Sequence, residues 1–132
     1  MNIELKVNEV LNLDEVILLY QNAGLKRPIL DSARIEKMYA NSNLIVSAWV
    51  NDELVGVARS ITDFSYCCYL SDLAVQKECH RSGIGKMLID KTREEIGEQC
   101  MLLLLSTAEA MEYYPKVGFD KVENGFIIKR KQ

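Results

Sequence analysis

LAVQKECHRSGIGK, residues 73–86, passes from an apolar strand through a polar loop into a helix that begins near Gly83. The first turn of a helix carries backbone N–H groups without intrahelical partners and a partial positive charge. Glycines such as Gly83 and Gly85 let a phosphate come close to that backbone. The stretch therefore predicts a pyrophosphate cradle. The alternative is that the glycines only serve a tight turn and close helix packing.

The spacing of these glycines excludes two other nucleotide-binding patterns. The loop lacks the G-x-x-x-x-G-K-[ST] spacing of a Walker A loop. It also has only G-x-G where a dinucleotide fingerprint needs a third glycine.

The sequence on both sides of this stretch alternates between strand and helix patterns. The predicted elements, in order, are a strand at residues 1–7, helices at 12–23 and 31–40, strands at 44–50, 54–61 and 66–75, a helix at 83–97, a strand at 101–105, a helix at 109–116 and two strands in a hairpin around Asn124-Gly125. This order predicts an α/β (α+β) mixed sheet. Helices are expected on both faces, because the apolar run at 101–105 has no polar side to turn to water.

The length, charge and composition of the chain argue against several classes of function. The 132 residues fit one domain spanning 1–132, and the net charge of −3 argues against nucleic acid as a partner. The longest apolar run is too short to cross a membrane, and the first residues lack the pattern of a signal peptide. The four cysteines form no C-x-x-C pair, and a single histidine does not complete a zinc site, so no metal is expected. This cysteine usage suits a reduced compartment, and a cytoplasmic location is expected.

A second stretch, residues 110–119, reads AMEYYPKVGF. With it, the chain resembles the GCN5-related N-acetyltransferase (GNAT) superfamily. That family carries Arg/Gln-x-x-Gly-x-Gly/Ala after a strand often reading Leu-Ala-Val, and further on Ala-x-x-Phe/Tyr-Tyr-x-Lys-x-Gly-Phe. Both motifs occur here in the family's order and spacing. The resemblance is strong over residues 66–119 and weak before residue 43. It implies a GNAT-like fold whose central sheet is splayed at the cofactor site.

The resemblance implies an acetyl-CoA-dependent enzyme and assigns most of its cofactor site to backbone groups. The glycine loop would hold the coenzyme pyrophosphate, and the pantetheine arm would bind along the edge of the preceding strand. The implied cofactor-binding residues are Leu73, Ala74, Val75, His80, Arg81, Ser82, Gly83, Ile84, Gly85, Lys86, Thr107 and Tyr114.

Tyr114 matches the family's tyrosine beside the sulfur and is the expected catalytic residue. A phenol with a pKa near 10 is protonated at neutral pH and can act as a general acid. The adjacent Tyr113 is expected to be a core aromatic. Two positions depart from the family pattern: His80 stands where Arg or Gln is usual, and Thr107 stands where Asn is usual.

The acceptor side is expected to include Tyr69 and Ser71 on the strand, with Arg27 and Arg59 as further contributors. Neither Tyr69 nor Ser71 is a base at neutral pH, so a water-mediated route to the amine is predicted. Asp72 is expected to point to the opposite face by strand alternation.

Three further carboxylates are candidate bases, but the sequence does not show whether they lie near the site: Asp63, Glu109 and Glu112.

Several functional alternatives stay open. A small-molecule amine is favoured as the acceptor over a protein lysine or N-terminus. A non-catalytic acyl-CoA-binding sensor module is also open, since no base is evident. The apolar residues 126–128 fit a core strand and the interface of a homodimer equally well.

Overall fold

The computed structural model describes residues 2–132, which form a five-stranded mixed sheet with helices on both faces. The strands follow the chain in the order β1-β2-β3-β4-β5. All neighbours are antiparallel except β4 and β5, which are parallel. The strands are β1 (Glu4–Val7), β2 (Leu44–Val50), β3 (Glu53–Thr62), β4 (Cys67–Val75) and β5 (Met101–Leu103). The predicted fold class is confirmed; of the predicted first strand, Met1 lies outside the described residues.

Residues 2–132 form four α-helices: α1 (Leu13–Ala23), α2 (Ser32–Ala40), α3 (Ile84–Ile96) and α4 (Tyr113–Lys116). Single 3-10 turns lie at Lys77–Cys79 and Ala108–Ala110. Side-chain caps begin the first two helices. Asn12 accepts a hydrogen bond from the N–H of Glu15, and Asp31 accepts one from the N–H of Arg34. Each cap satisfies a backbone donor that the helix itself leaves free.

Two apolar clusters lie on opposite faces of the sheet. Leu88 and Ile89 of α3 pack with Val46 and Leu70 on one face. Residues of α1 and α2 pack against Val57 and Ala74 on the other. The prediction of helices on both faces is therefore confirmed, and the glycine loop before α3 lies beyond the end of β4.

A β-bulge interrupts β4 at Ser71. Arg59 pairs with Asp72, but the next residue, Ser60, pairs with Leu70, so Ser71 is an extra residue in the strand. A bulge inserts one residue and breaks the simple alternation of side chains. Leu70 consequently packs on the α3 face, while Asp72 lies on the face of α1.

The end of the chain departs from the prediction. Residues 117–132 contain no helix or strand, so the predicted final hairpin is wrong. The β5 strand is also shorter than predicted and is not buried on both faces: Met101 is 54% and Leu103 37% exposed. The reason is that nothing in residues 117–132 pairs with the outer edge of β5.

Candidate active site

The N-terminus of α3 leaves backbone donors unused. Gly83 has φ +87°, a conformation that side-chain-bearing residues rarely adopt, and no side chain caps the helix. The first helical hydrogen bond runs from the N–H of Met87 to the carbonyl of Gly83. Within residues 2–132, the N–H groups of residues 84–86 have no acceptor. An uncapped start of a 13-residue helix is a fitting site for a phosphate.

Tyr113 lies against this helix start. A Cβ added at Gly85 would come within 2.6 Å of the Tyr113 hydroxyl oxygen, so the Tyr113 side chain would have to shift to admit one. Tyr113 is 37% exposed, and the expectation of a core aromatic is wrong. Gly85 was the only signal of this contact in the sequence, but spacing does not reveal a contact between residues this far apart in the chain.

The edge of β4 is open beyond Tyr69. The β4–β5 ladder pairs only three residues and ends at Tyr69 and Leu103. The N–H of Gln76 donates to Val55 of β3, so by alternation the backbone groups of Leu73 and Val75 face away from β3, toward the open edge. This gap is the expected splay of the sheet.

His80 occupies part of this edge. Its Nε2 lies 2.9 Å from the Val75 carbonyl oxygen. The imidazole therefore bonds to the strand edge, at the point where the edge meets the glycine loop. The Ser82 hydroxyl donates to the Cys79 carbonyl inside the same loop. Arg81 has φ +72° and is exposed.

Tyr114 is half-buried between two aromatic rings. Its ring centroid is 5.3 Å from that of Tyr113 and 5.5 Å from that of Phe119, both in edge-to-face geometry. Burial, with a smaller effect of Tyr113, raises the pKa of the Tyr114 phenol. The phenol is therefore protonated at neutral pH. Thr107 precedes the 3-10 turn at Ala108–Ala110 and is exposed.

Asp72 is the centre of a buried polar cluster that the sequence did not predict. Its carboxylate accepts hydrogen bonds from Arg27 Nε at 2.6 Å, Arg59 Nε at 2.7 Å, Tyr20 at 2.7 Å and Ser71 at 3.2 Å. The side chain of Asp72 is 0% exposed. Burial alone would raise the pKa of this carboxyl, but the hydrogen bond and charge of Arg59 outweigh it, and the pKa is lowered.

This cluster changes the interpretation of Arg27 and Asp72. Arg27 is not a solvated loop residue, since it also donates to the Ser71 carbonyl at 2.7 Å and ties the α1–α2 loop to the bulge. Asp72 does not point away from Ser71, because the bulge disturbs the alternation on which that expectation rested. The Ser71 hydroxyl accepts a hydrogen bond from Arg59 at 3.0 Å. Tyr69 stands beyond the bulge and is 37% exposed.

Asp63 has a structural role. Its Oδ1 accepts hydrogen bonds from the N–H groups of Ser65, Tyr66 and Cys67 in the turn between β3 and β4. These bonds, led by that of Tyr66, lower the Asp63 pKa to about 2. A carboxylate with such a pKa is a weak base. Glu109 and Glu112 are exposed beside α4.

Two kinds of feature are absent from residues 2–132. No helix in this range is long and apolar enough to cross a membrane. No group of three or more His, Cys, Asp or Glu side chains in this range could hold a metal ion.

Known proteins share this architecture. An uncharacterized N-acetyltransferase (ycf52) of Pyropia yezoensis is 27% identical over 131 residues, covering 94% of this chain and 74% of the relative. A GNAT-family acetyltransferase from Streptococcus pneumoniae superposes with a TM-score of 0.78 at 25% identity, covering 99% of this chain and 100% of that one.

An aminoglycoside N-acetyltransferase in complex with CoA superposes with a TM-score of 0.73 at 14% identity, covering 99% and 96%. The family model described as an acetyltransferase (GNAT) domain matches residues 18–129. The chain therefore belongs to the GNAT family of N-acetyltransferases.

Proposed function

We propose that this protein transfers an acetyl group from acetyl-CoA to the primary amine of a small molecule by direct attack on the thioester. The observation that carries the proposal is the uncapped start of α3 next to the open edge of β4. Together they offer donors for a diphosphate and a strand edge for an extended arm.

The binding roles follow from the free backbone groups. The N–H groups of residues 84–86 would hold the diphosphate, with the partial positive charge of the helix start behind them. The backbone of Leu73 and the N–H of Val75 would bond to the pantetheine amides as an added strand does. The Val75 carbonyl already bonds to His80, so that group is less available.

Tyr114 would protonate the thiolate as it leaves. A half-buried phenol with a raised pKa keeps its proton at neutral pH until a strong base forms beside it. Bound acetyl-CoA would supply the thioester. No covalent enzyme intermediate is proposed, since no histidine contacts any of the four cysteines in the structure's hydrogen bonds over residues 2–132.

The acceptor amine must be neutral to attack. Tyr69 and the region of Ser71 would line its pocket, and a water would take the amine proton. Arg27 and Arg59 would support this pocket through Asp72 rather than bind the acceptor by themselves.

We propose a small amine as the acceptor because an aminoglycoside acetyltransferase has a similar fold. A single domain and a cytoplasmic location are further parts of the proposal.

A non-catalytic CoA-binding module is a second candidate. It is favoured because neither Tyr69 nor Ser71 is a base at neutral pH. It shares the cofactor site with the first proposal, so binding alone does not separate the two functions, whereas turnover does.

The test is calorimetric titration of the protein with acetyl-CoA, compared with a Gly83→Asp/Gly85→Asp double variant. Like charges about 4 Å apart repel by roughly 1–4 kcal/mol each, so two carboxylates at the diphosphate site should weaken binding by at least ~30-fold. Gly125→Asp is the matched control, because Gly125 is exposed and has open space around it. Its affinity should equal that of the native protein.

Three outcomes are distinct. Loss of binding in the folded double variant alone supports the cofactor site, and turnover with any amine in a following screen supports catalysis. Tight binding without turnover across a broad amine screen favours the sensor module. Absence of binding by the native protein contradicts both functions.

A further inference from the structure

The hydroxyl of Tyr113 lies where the end of β4 meets the start of α3. Its oxygen is 2.6 Å from the place that a Cβ would take on Gly85, the second residue of α3. The same place is 4.0 Å from Cγ2 of Val75, the last residue of β4. The proposed function puts the diphosphate on one side of this junction and the pantetheine arm on the other. The hydroxyl therefore lies at the point where these two parts of the coenzyme would join.

This hydroxyl is a free donor. Within residues 2–132 it has no hydrogen-bond partner, since Lys86 and Asp90, whose charges act on it, bond to each other at 2.6 Å. Burial, followed by the charge of Asp90, raises the pKa of the Tyr113 phenol. The phenol thus keeps its proton at neutral pH and can donate a hydrogen bond to an acceptor outside the described chain.

The ring that carries the hydroxyl is held by its neighbour. Tyr113 packs edge to face on Tyr114, with the ring centroids 5.3 Å apart, and Tyr114 is itself packed against the core under α3. Tyr113 is nevertheless 37% exposed. A side chain that is ordered before binding loses little conformational entropy when it contacts a ligand.

Gly85 leaves the space that the hydroxyl occupies. Gly85 lies inside α3 and has no positive φ, so its backbone does not call for glycine, and helix propensity alone would favour alanine. An added Cβ would meet the phenol: the hydroxyl oxygen at 2.6 Å would have to move, whereas Cζ of the ring, at 3.5 Å, would be in ordinary contact. The missing side chain at position 85 therefore accommodates one atom, the oxygen of Tyr113.

We propose that the Tyr113 hydroxyl donates a hydrogen bond to the diphosphate of the coenzyme, and that Gly85 leaves the room for this hydroxyl. Tyr113 would add a side-chain donor to the backbone donors of residues 84–86. A phosphate oxygen is anionic, so the bond is charge-assisted and stronger than one between neutral groups. Because the diphosphate is that of bound acetyl-CoA, this role of Tyr113 rests on the proposed function.

The first test is calorimetric titration of Tyr113→Phe with acetyl-CoA. Loss of a hydrogen bond to a charged group should weaken binding by about 10-fold or more. The urea unfolding of this variant should match that of the native protein, because the hydroxyl has no partner within residues 2–132. Tyr66→Phe is the matched control. Tyr66 is 78% exposed in the turn between β3 and β4, and its loss of a hydroxyl should leave acetyl-CoA affinity unchanged.

Two parts of the coenzyme locate the hydrogen bond. Dephospho-CoA keeps the diphosphate but lacks the phosphate on the ribose, and the phosphorylated ADP half keeps the diphosphate but lacks the pantetheine arm. Tyr113→Phe should weaken the binding of both by the same factor as that of acetyl-CoA. An undiminished affinity for either one would place the hydroxyl on the part that it lacks and would contradict a bond to the diphosphate.

Gly85→Ala tests the seat of the hydroxyl. In the native protein the new methyl group should displace the hydroxyl and weaken acetyl-CoA binding about as much as Tyr113→Phe does. In the Tyr113→Phe background the same methyl would face only the ring, at 3.5 Å, and should cause no further loss. The four titrations form a double-mutant cycle, in which coupling between the two positions appears as losses that do not add.

Each possible result has a distinct meaning. If Tyr113→Phe binds acetyl-CoA as tightly as the native protein, the hydroxyl has no part in binding, and the proposed function stands without it. Losses that add in the cycle would show that a methyl at position 85 obstructs the coenzyme directly, which overturns the role given to Gly85. A folded native protein that does not bind acetyl-CoA would refute the proposed function and the role of Tyr113 with it.

Discussion

Replacing Asp72 with Asn should destabilise the protein more than any surface charge change. Asp72 is fully buried and accepts hydrogen bonds from two guanidinium groups. Removing one partner of a buried ion pair typically costs about 3–5 kcal/mol, because a charge is left buried without compensation. Arg59 is only 7% exposed and would bear most of this cost, whereas Arg27 is 25% exposed and would regain water. We therefore expect about 3 kcal/mol, the lower end of that range.

The assay is urea unfolding at pH 7, with thermal unfolding as a second readout. For 132 residues, the usual entropy of unfolding converts 1 kcal/mol to a shift in melting temperature of about 3–4 °C, so a loss of ~10 °C is expected. The control is Asp90→Asn, which breaks the exposed i,i+4 pair with Lys86. Such pairs contribute only about 0.3–0.5 kcal/mol. If Asp72→Asn cost no more than Asp90→Asn, the assignment of Asp72 as a buried charge on which the arginines depend would be refuted.

Three further predictions concern pH and catalysis. The pKa of Asp72 is lowered in the folded state, so its stabilisation is fully present above the unfolded pKa of about 3.9 and lost as pH falls through the folded value. In urea titrations, the difference in unfolding free energy between the native protein and Asp72→Asn should be constant from pH 5 to 8 and should shrink below about pH 4. A difference that persists unchanged to pH 2 would contradict this. Tyr114→Phe should lower kcat by roughly 10²-fold or more while acetyl-CoA affinity by calorimetry stays the same, as expected for loss of a general acid; an unchanged kcat would exclude that role. Tyr69→Phe and Ser71→Ala should lower turnover without affecting cofactor binding, and unchanged turnover in both would remove these residues from the acceptor pocket.

The parts of the fold with local signals could be predicted from the sequence. Asn12 and Asp31, the first residues of the two predicted helices, are their caps, and a cap depends on residues only three positions apart. The Asn51-Asp52 turn joins β2 and β3, and both residues adopt the positive φ that such turns require. The glycine loop before α3 is likewise a local feature and was placed correctly.

The parts that failed depend on distant contacts. The cluster around Asp72 joins residues up to 52 positions apart, such as Tyr20, and no spacing rule reveals it. The position of Tyr113 against Gly85 is of the same kind. The final hairpin failed for a different reason: the pattern around Asn124-Gly125 is typical of a hairpin, but a strand forms only where an edge is offered to it in the right place. The tail does not meet the β5 edge of its own chain.

The bulge at Ser71 also governs how sequences of this family should be aligned through β4. Deleting Ser71 would place Leu70 directly before Asp72, so that the pairs Ser60–Leu70 and Arg59–Asp72 would follow one another in a regular ladder. Cys68 and Leu70 would stay in the core beneath α3, and Asp72 would stay on the face of α1. A deletion elsewhere in β4 would instead turn the residues before it to the opposite face, because side chains alternate along a strand. An alignment gap in β4 is therefore physically tolerable only at the bulge itself, and a comparison that places the gap elsewhere would match buried side chains with exposed ones.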